Sequence, residues 1–180
     1  TIALDIMGGD HGPPVILSAA VKAIQLHPDV HFTLCGDENT IKSGLQPLTD
    51  AERSRVTIKH CSQVVEMGEV PTSALRNKKD SSMRRVIELV KSGEADACVS
   101  AGNTGALLTL SFYLLKTLSG IDRPALINMM PTTSHHNVFL LDLGANVNCT
   151  PEILFQYGVM GSVLAQEVAG IPSPRVALLN

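Results

Sequence analysis

The sequence predicts an α/β protein built on a mostly parallel sheet, and three observations carry that prediction. Short apolar runs alternate with stretches of helical periodicity along the chain. Hydrophobic residues make up 44% of the 180 residues, yet aromatics are only 3% and Trp is absent, so the core is aliphatic, as strands buried on both faces require. Three apolar runs also end in small-residue turns, Asp5–Asp10, Ser100–Gly105 and Asp142–Asn148, the positions where parallel strands pass into their connections. A chain of this length can bury a full core, so residues 1–180 are expected to form a single α/β lobe.

Taken in order, Ile2–Met7 reads as a strand running into Gly8-Gly9-Asp10-His11-Gly12-Pro13. Pro13 or Pro14 suits a first helical turn, and Val15–Leu26 carries Ile16, Ala19, Ala20, Ala23 and Ile24 at helical spacing. His31–Cys35 is a second strand closed by Gly36-Asp37, Thr40–Leu48 a helix and Arg55–Lys59 a third strand. Cys61–Lys79 breaks the rhythm with Pro71 and a polar run from Arg76 to Asp80. It reads as a long loop with a short helix, and such loops are more often functional than idle. Asp80 or Ser81 caps a helix with Met83, Val86, Ile87 and Val90 on one face, ended by Gly93. Ala97–Val99 is a short strand, and the helix Gly105–Leu118 beyond its turn is apolar almost all round, so its own sheet or a second subunit must cover it. Ala125–Met130 and Val138–Leu141 read as further strands joined by the polar turn 132–137. Thr150 is a good N-cap with Pro151 and Glu152 behind it, for a helix running to about Ala169 and stopping at Gly170. Arg175–Leu179 reads as one more strand, and a chain ending on a strand is expected to be part of something longer.

Composition excludes several function classes. A net charge of −3 gives no global field for nucleic acid or an anionic membrane. No charged and then apolar leader is read at the start, and no apolar run is long enough to span a bilayer. Cys35, Cys61, Cys98 and Cys149 are scattered without a C-x-x-C pair, as buried free thiols in a reducing cytoplasm would be. The chain carries neither a P-loop nor a G-x-G-x-x-G fingerprint, which disfavours a dinucleotide, and no cofactor is expected.

The stretch Asp96–Gly105 is the focus. Small residues at a strand-to-helix turn leave unpaired N–H groups at the positive end of a helix, where an anion can sit. A single glycine turn needs no function beyond the turn itself, but three such loops on one sheet edge would make a polar pocket. Candidate anion ligands are Ser100, Gly102, Asn103, Thr104 and Gly105, with Arg76, Lys78 and Lys79 placed to close over the anion. Asp10 and His11 form an acid–base pair at the end of the first strand, although a solvated loop histidine is the commoner identity of His11. His135-His136 lacks a third ligand and reads as surface, so no metal is expected. Cys98 reads as a core thiol, and Ser100 lacks the G-x-S-x-G elbow of a nucleophile.

Six stretches in order resemble one family: Asp5-Ile-Met-Gly-Gly-Asp-His-Gly-Pro, Ala74-Leu-Arg-Asn-Lys-Lys-Asp-Ser-Ser-Met, Ala95-Asp-Ala-Cys-Val-Ser-Ala-Gly-Asn-Thr-Gly-Ala, Gly120-Ile-Asp-Arg-Pro-Ala, Leu141-Asp-Leu-Gly-Ala-Asn-Val-Asn-Cys and Met160-Gly-Ser-Val. They resemble the bacterial phosphate acyltransferase family PlsX. The resemblance implies a homodimeric three-layer α/β/α sandwich similar to isocitrate and isopropylmalate dehydrogenases and to phosphotransacetylase. It implies transfer of a fatty acyl group from acyl carrier protein to inorganic phosphate, giving acyl phosphate for phosphatidic acid synthesis in the cytoplasm. The family pattern continues past residue 180 through an Asn-x-Gly-x-Glu segment beginning at about Asn180 and a later hairpin that touches the inner face of the membrane. This chain is therefore expected to be the N-terminal part of a longer one.

That activity suits the residues present. Phosphate would be the nucleophile, so no acyl-enzyme is needed, and a thiol leaving group with a pKa near ~8.5 needs little acid help. Holding the reactants in line and stabilising the oxyanion would be the main tasks, with the amides of Asn103, Asn146 and Asn148 as oxyanion donors and Asp10 or His11 orienting phosphate or protonating the thiol. Arg84, Arg85, Lys91 and Lys116 could dock an acidic carrier protein, though solvated helix charges are the plainer reading. A phosphotransacetylase using acyl-coenzyme A and a non-catalytic lobe binding phosphorylated ligands are the alternatives; a dehydrogenase on the same fold would need clustered aspartates and a metal.

Overall fold

The strand on which the sheet is built is β1 (Ile2–Asp5), which pairs in parallel with a neighbour on each side. In the computed structural model, which describes residues 1–133, 137–146 and 148–179, the chain forms two compact units, Thr1–Lys116 and Thr117–Asn180. His135, His136, Val147 and Asn180 lie outside the described residues, and with them the surface reading of the histidine pair.

In the first unit β1 is followed by α1 (Pro13–Leu26), β2 (Phe32–Gly36), α2 (Glu38–Gly44), α3 (Asp50–Arg53), β3 (Val56–His60), α4 (Pro71–Asn77), α5 (Ser82–Ser92), β4 (Ala97–Val99) and α6 (Thr104–Leu115). The four strands make one sheet in the order β3-β2-β1-β4, and every pair is parallel. Alternate side chains divide between its faces, because successive Cβ atoms of a strand point to opposite sides. Ile2, Leu4, Phe32 and Leu34 meet Leu17, Ala20 and Ile24 of α1 and Ile41 of α2. Ala3 and Cys35 meet Met83, Val86 and Ile87 of α5 and Ala106, Leu110 and Leu114 of α6. Helices thus cover both faces of a parallel sheet, the expected three-layer α/β/α arrangement, and Phe32 is the one aromatic side chain among the described buried residues of this unit.

Local chemistry sets the helix ends. Asp37 caps α2 by accepting from the Thr40 amide at 2.8 Å, so this helix starts earlier than the expected Thr40 and ends at Gly44 rather than Leu48. The short α3, unforeseen in the sequence, is held by a Thr49–Glu52 capping box. Ser81 caps α5, and Gly93 ends it in the left-handed conformation at φ 76°. The α6 helix ends at Leu115, short of Leu118. One stripe of it is buried, and Phe112, Tyr113 and Leu115 remain exposed.

The second unit is a different construction. Its strands β5 (Ile127–Pro131) and β6 (Asn137–Leu141) pair antiparallel in a separate two-stranded ribbon, followed by α7 (Pro151–Ala169). The expectation that they extend the parallel sheet is therefore corrected. Only residues 132–136 separate them, whereas a parallel return needs a crossover of about a dozen residues or more. The Asp142–Asn148 loop consequently follows a ribbon strand and is not a third corner of the parallel sheet. Thr150 caps α7 and Gly170 closes it, at the expected bounds. Arg175–Leu179 forms no strand. It has no hydrogen-bonded neighbour among the described residues, and Val176, Leu178 and Leu179 are exposed.

Asp80 ties the loop after β3 to α5. It accepts from the Ser62 hydroxyl at 2.6 Å, the Ser62 amide at 2.9 Å and the Arg85 guanidinium at 2.9 Å. These bonds, the Ser62 ones foremost, hold its pKa down at about 2 from an ordinary 3.8. A carboxyl depressed in the folded state contributes stability that is complete above its unfolded pKa and is lost as pH falls through the folded one. The stability of this unit should therefore fall between about pH 4 and pH 2, and Asp80→Asn should flatten that part of the curve, as urea titrations across this range will measure.

Candidate functional site

Parallel pairing of β1 with β4 aligns Leu4 with Val99, so both strands leave the sheet at the same edge and their turns meet. The main chains at Gly8 and Gly102 come so close that a Cβ on Gly8 would lie 2.7 Å from Asp5 Oδ2 and 2.9 Å from the Gly102 nitrogen. A Cβ on Gly9, where φ is 96°, would sit 3.4 Å from Ala101 Cβ. Two of the three predicted glycine turns thus converge in one corner.

Below the corner lies Asp5, which sequence reasoning did not single out as a site residue. It is 2% exposed. Its Oδ2 accepts from the Ser100 hydroxyl at 2.6 Å and its Oδ1 from the Met7 amide at 3.2 Å. Ser100 Oγ in turn accepts from the Gly102 amide at 3.1 Å. The only signal in the sequence was an acidic residue directly at the tip of an apolar strand, where burial depends on what packs above it.

Asn103 caps α6, its Oδ1 accepting from the Ala106 amide at 3.0 Å. Its side-chain amide donates to the carbonyls of Met67 and Glu69 at 2.8 Å each and of Glu66 at 3.3 Å. Both amide hydrogens are therefore spent on the loop before α4, so Asn103 anchors that loop and does not present the oxyanion donor expected of it. The main-chain N–H groups of Asn103, Thr104 and Gly105 have no acceptor among the described residues. They stand at the positive end of a 12-residue helix.

The anchored loop leads into α4, and a Cβ on Gly105 would approach Pro71 Cγ at 3.1 Å. At the far end of α4, Arg76 and Lys79 are exposed and make no ion pair among the described residues, whereas Lys78 faces Glu69 at 3.9 Å. Asp10 and His11 are both exposed in the turn before α1. Asn146, in the second unit, is engaged locally. Its amide donates to the Pro124 carbonyl and to Asp142 Oδ2, both at 3.0 Å. Burial alone would raise the Asp142 carboxyl, but bonds from the Asn146 side chain and from the amides of Leu126, Ala145 and Asn146 hold it below the usual range. Asn148 is exposed. No group of three or more His, Cys, Asp and Glu among the described residues is arranged to hold a metal ion. A groove of about 560 Å³ between α1 and α2 is lined by residues such as Leu17, Val21 and Pro47, and none of residues 100–105 borders it.

Two substitutions test this geometry. Gly8→Ala pushes a methyl group into backbone and should destabilise the first unit by about 1–3 kcal/mol, whereas Gly102→Ala meets chiefly side-chain atoms, the Met83 Cε at 2.6 Å and the Ser100 Oγ at 3.2 Å, and should cost less. Asn103→Asp keeps the helix cap but turns a carboxylate onto carbonyls, so hydrogen exchange at 66–69 should speed up, while Asn103→Ala should also lose a cap worth about 0.5–2 kcal/mol. Equal melting temperatures for the two glycine variants would contradict the close approach described.

Comparison with known proteins adds the family. The family described as "Fatty acid synthesis protein" matches residues 1–180. Among curated relatives, proteins named phosphate acyltransferase from Halorhodospira halophila, Aeromonas salmonicida and Pseudoalteromonas atlantica are 56%, 55% and 54% identical over all 180 residues of this chain. The chain spans about half of each of them, 52% of the first and 53% of the other two. With its whole length matched, and with the motifs that shape the glycine corner inside that match, the chain belongs to the fatty acid synthesis protein family.

Proposed function

We propose that the protein of which these residues form part transfers a fatty acyl group from acyl carrier protein to inorganic phosphate, releasing acyl phosphate for phosphatidic acid synthesis. The observation that carries the reading is the row of unspent main-chain amides at Asn103, Thr104 and Gly105, beside the converged glycine turns. Tetrahedral oxyanions are held well by such donors. The relatives' printed name, phosphate acyltransferase, supplies the reaction class.

In this reading a phosphate oxygen attacks the thioester carbonyl carbon, the carbonyl oxygen takes up the electron pair, and collapse expels the thiolate, which gains a proton. The chain's task is to hold phosphate in line and to offset charge on the oxyanion. Phosphate is held by the 103–105 amides, and the charges of Arg76 and Lys79, which make no ion pair among the described residues, draw it in. Exposed Asp10 and His11, in the turn adjoining Gly8 and Gly9, are the groups that exchange a proton with phosphate or the departing thiol. Asn103 serves by fixing the loop 66–69 against the start of α6. The acidic carrier protein would meet a weaker basic patch than expected, because Arg84 pairs with Glu88 and Arg85 with both Asp80 and Glu88, which leaves Lys91 and Lys116, the latter 4.9 Å above the Tyr113 ring, as the freer charges. Homodimerisation and a peripheral location at the inner face of the membrane complete the proposal. No helix of the described residues is long and apolar enough to cross a membrane.

The assay is direct. The full-length protein is incubated with palmitoyl carrier protein, palmitoyl-coenzyme A or NAD substrates, with and without phosphate, and acyl phosphate is measured. Phosphate-dependent acyl phosphate from the carrier-protein donor is the expected result. Preference for the coenzyme A donor indicates a phosphotransacetylase, and no turnover with any substrate indicates a binding lobe. Lys79→Ala and Arg76→Ala should each raise the phosphate KM several-fold, and an unchanged phosphate dependence in both would remove them from the site.

A further inference from the structure

We infer that Asp5, acting through Ser100, is a positioning residue that fixes the glycine turn in its anion-binding shape. The inference rests on the phosphate-binding reading above and deepens it. Asp5 is almost fully buried, and no cation among the described residues pairs with it, which is a costly place for a carboxylate unless its bonds serve an end.

Those bonds share one logic. A carboxylate only accepts, so it takes the single hydroxyl proton of Ser100. With that proton committed, the Ser100 oxygen presents lone pairs, and one of them takes the Gly102 amide. Ser100 therefore has no donor left for an oxyanion, and its share in anion binding is indirect. It ties Gly102, the residue pressed against Gly8, to the tip of β1. The same carboxylate takes the Met7 amide, so one buried group braces both turns of the corner. The three amides that follow Gly102 are those without acceptors. Their direction depends on the brace, since they lie on the same short turn.

The experiment uses the full-length protein and four variants: Asp5→Asn, Ser100→Ala, Ser100→Thr and the double variant Asp5→Asn with Ser100→Ala. Asp5→Asn keeps the shape but replaces an acceptor by an amide donor facing Ser100. The phosphate KM, the acyl-donor KM and kcat are measured for each variant, and binding of inorganic phosphate alone is followed by calorimetry. Misplacement by about 1 Å costs on the order of 10²-fold, so Asp5→Asn and Ser100→Ala should weaken phosphate by roughly tenfold to a hundredfold, more than they change the acyl-donor KM. The double variant should be no worse than the poorer single one, because both break one linkage, and Ser100→Thr, which keeps the hydroxyl, should restore most of the loss. Multiplying effects, or phosphate affinity unchanged in folded Ser100→Ala, would overturn the inference. If Asp5→Asn does not fold, the contrast of Ser100→Ala with Ser100→Thr decides. Wild-type protein that makes no acyl phosphate sinks the functional reading, while the calorimetric phosphate affinities still test the brace.

Discussion

Strands β1 and β4 lie side by side and parallel, so whatever follows each of them must share the space at one sheet edge. That constraint explains the sequence of both turns. Two chains leaving adjacent strands in the same direction cross closely here because Gly8 carries no Cβ, which would lie 2.9 Å from the Gly102 nitrogen. The close approach brings a helix start, with its unspent amides, to the strand tip and leaves Asp5 sealed beneath. Remove the parallel pairing and neither the burial of the carboxylate nor the shape of the turn has a cause.

The electrostatics of the corner are arranged in layers. A buried carboxylate near the proposed anion site would repel the anion if its charge were undressed. Here each Asp5 oxygen is met by a donor, one of them the hydroxyl of Ser100 at 2.6 Å. Both donors belong to the turns and offset the carboxylate charge on that side, while the helix presents its positive end. The Asp5 charge is felt inward instead. Burial first, and then Asp5, raises the Cys98 thiol, and donation of the Cys35 S–H to Cys61, burial and Asp5 raise that of Cys35, so neither is disposed to act as a thiolate nucleophile. Cys61, which accepts that bond just beyond β3, is lowered in turn but is almost fully buried.

Much of this was legible in the sequence wherever the cause is local. β4 emerged at its full Ala97–Val99 extent because an apolar run ends abruptly in small residues, and α7 emerged with both ends because Thr150, Pro151 and Gly170 act on their own neighbours. What tertiary contacts decide was not legible. From sequence Asn103 reads as a free amide, but its hydrogens go to carbonyls more than thirty positions away, and no local pattern encodes that. Asp5 escapes a sequence reading because its burial depends on Gly102 and Ser100, far along the chain. The direction of β5 and β6 differs from expectation for another reason. Apolar runs declare strands, but only the length of the connection declares their sense, and here it admits a hairpin alone. Arg175–Leu179 has β-prone residues but no pairing partner, so propensity by itself did not make it a strand.

The claim on which the rest depends is that the turn from Ser100 to Gly105 holds the oxyanion. Crystals of the full-length protein soaked in tungstate, whose anomalous scattering marks a tetrahedral dianion, locate that site without reliance on turnover. The account predicts the metal peak within reach of the Asn103, Thr104 and Gly105 amides, displaced by added phosphate. A peak held elsewhere, with those amides bound only to water, would contradict it.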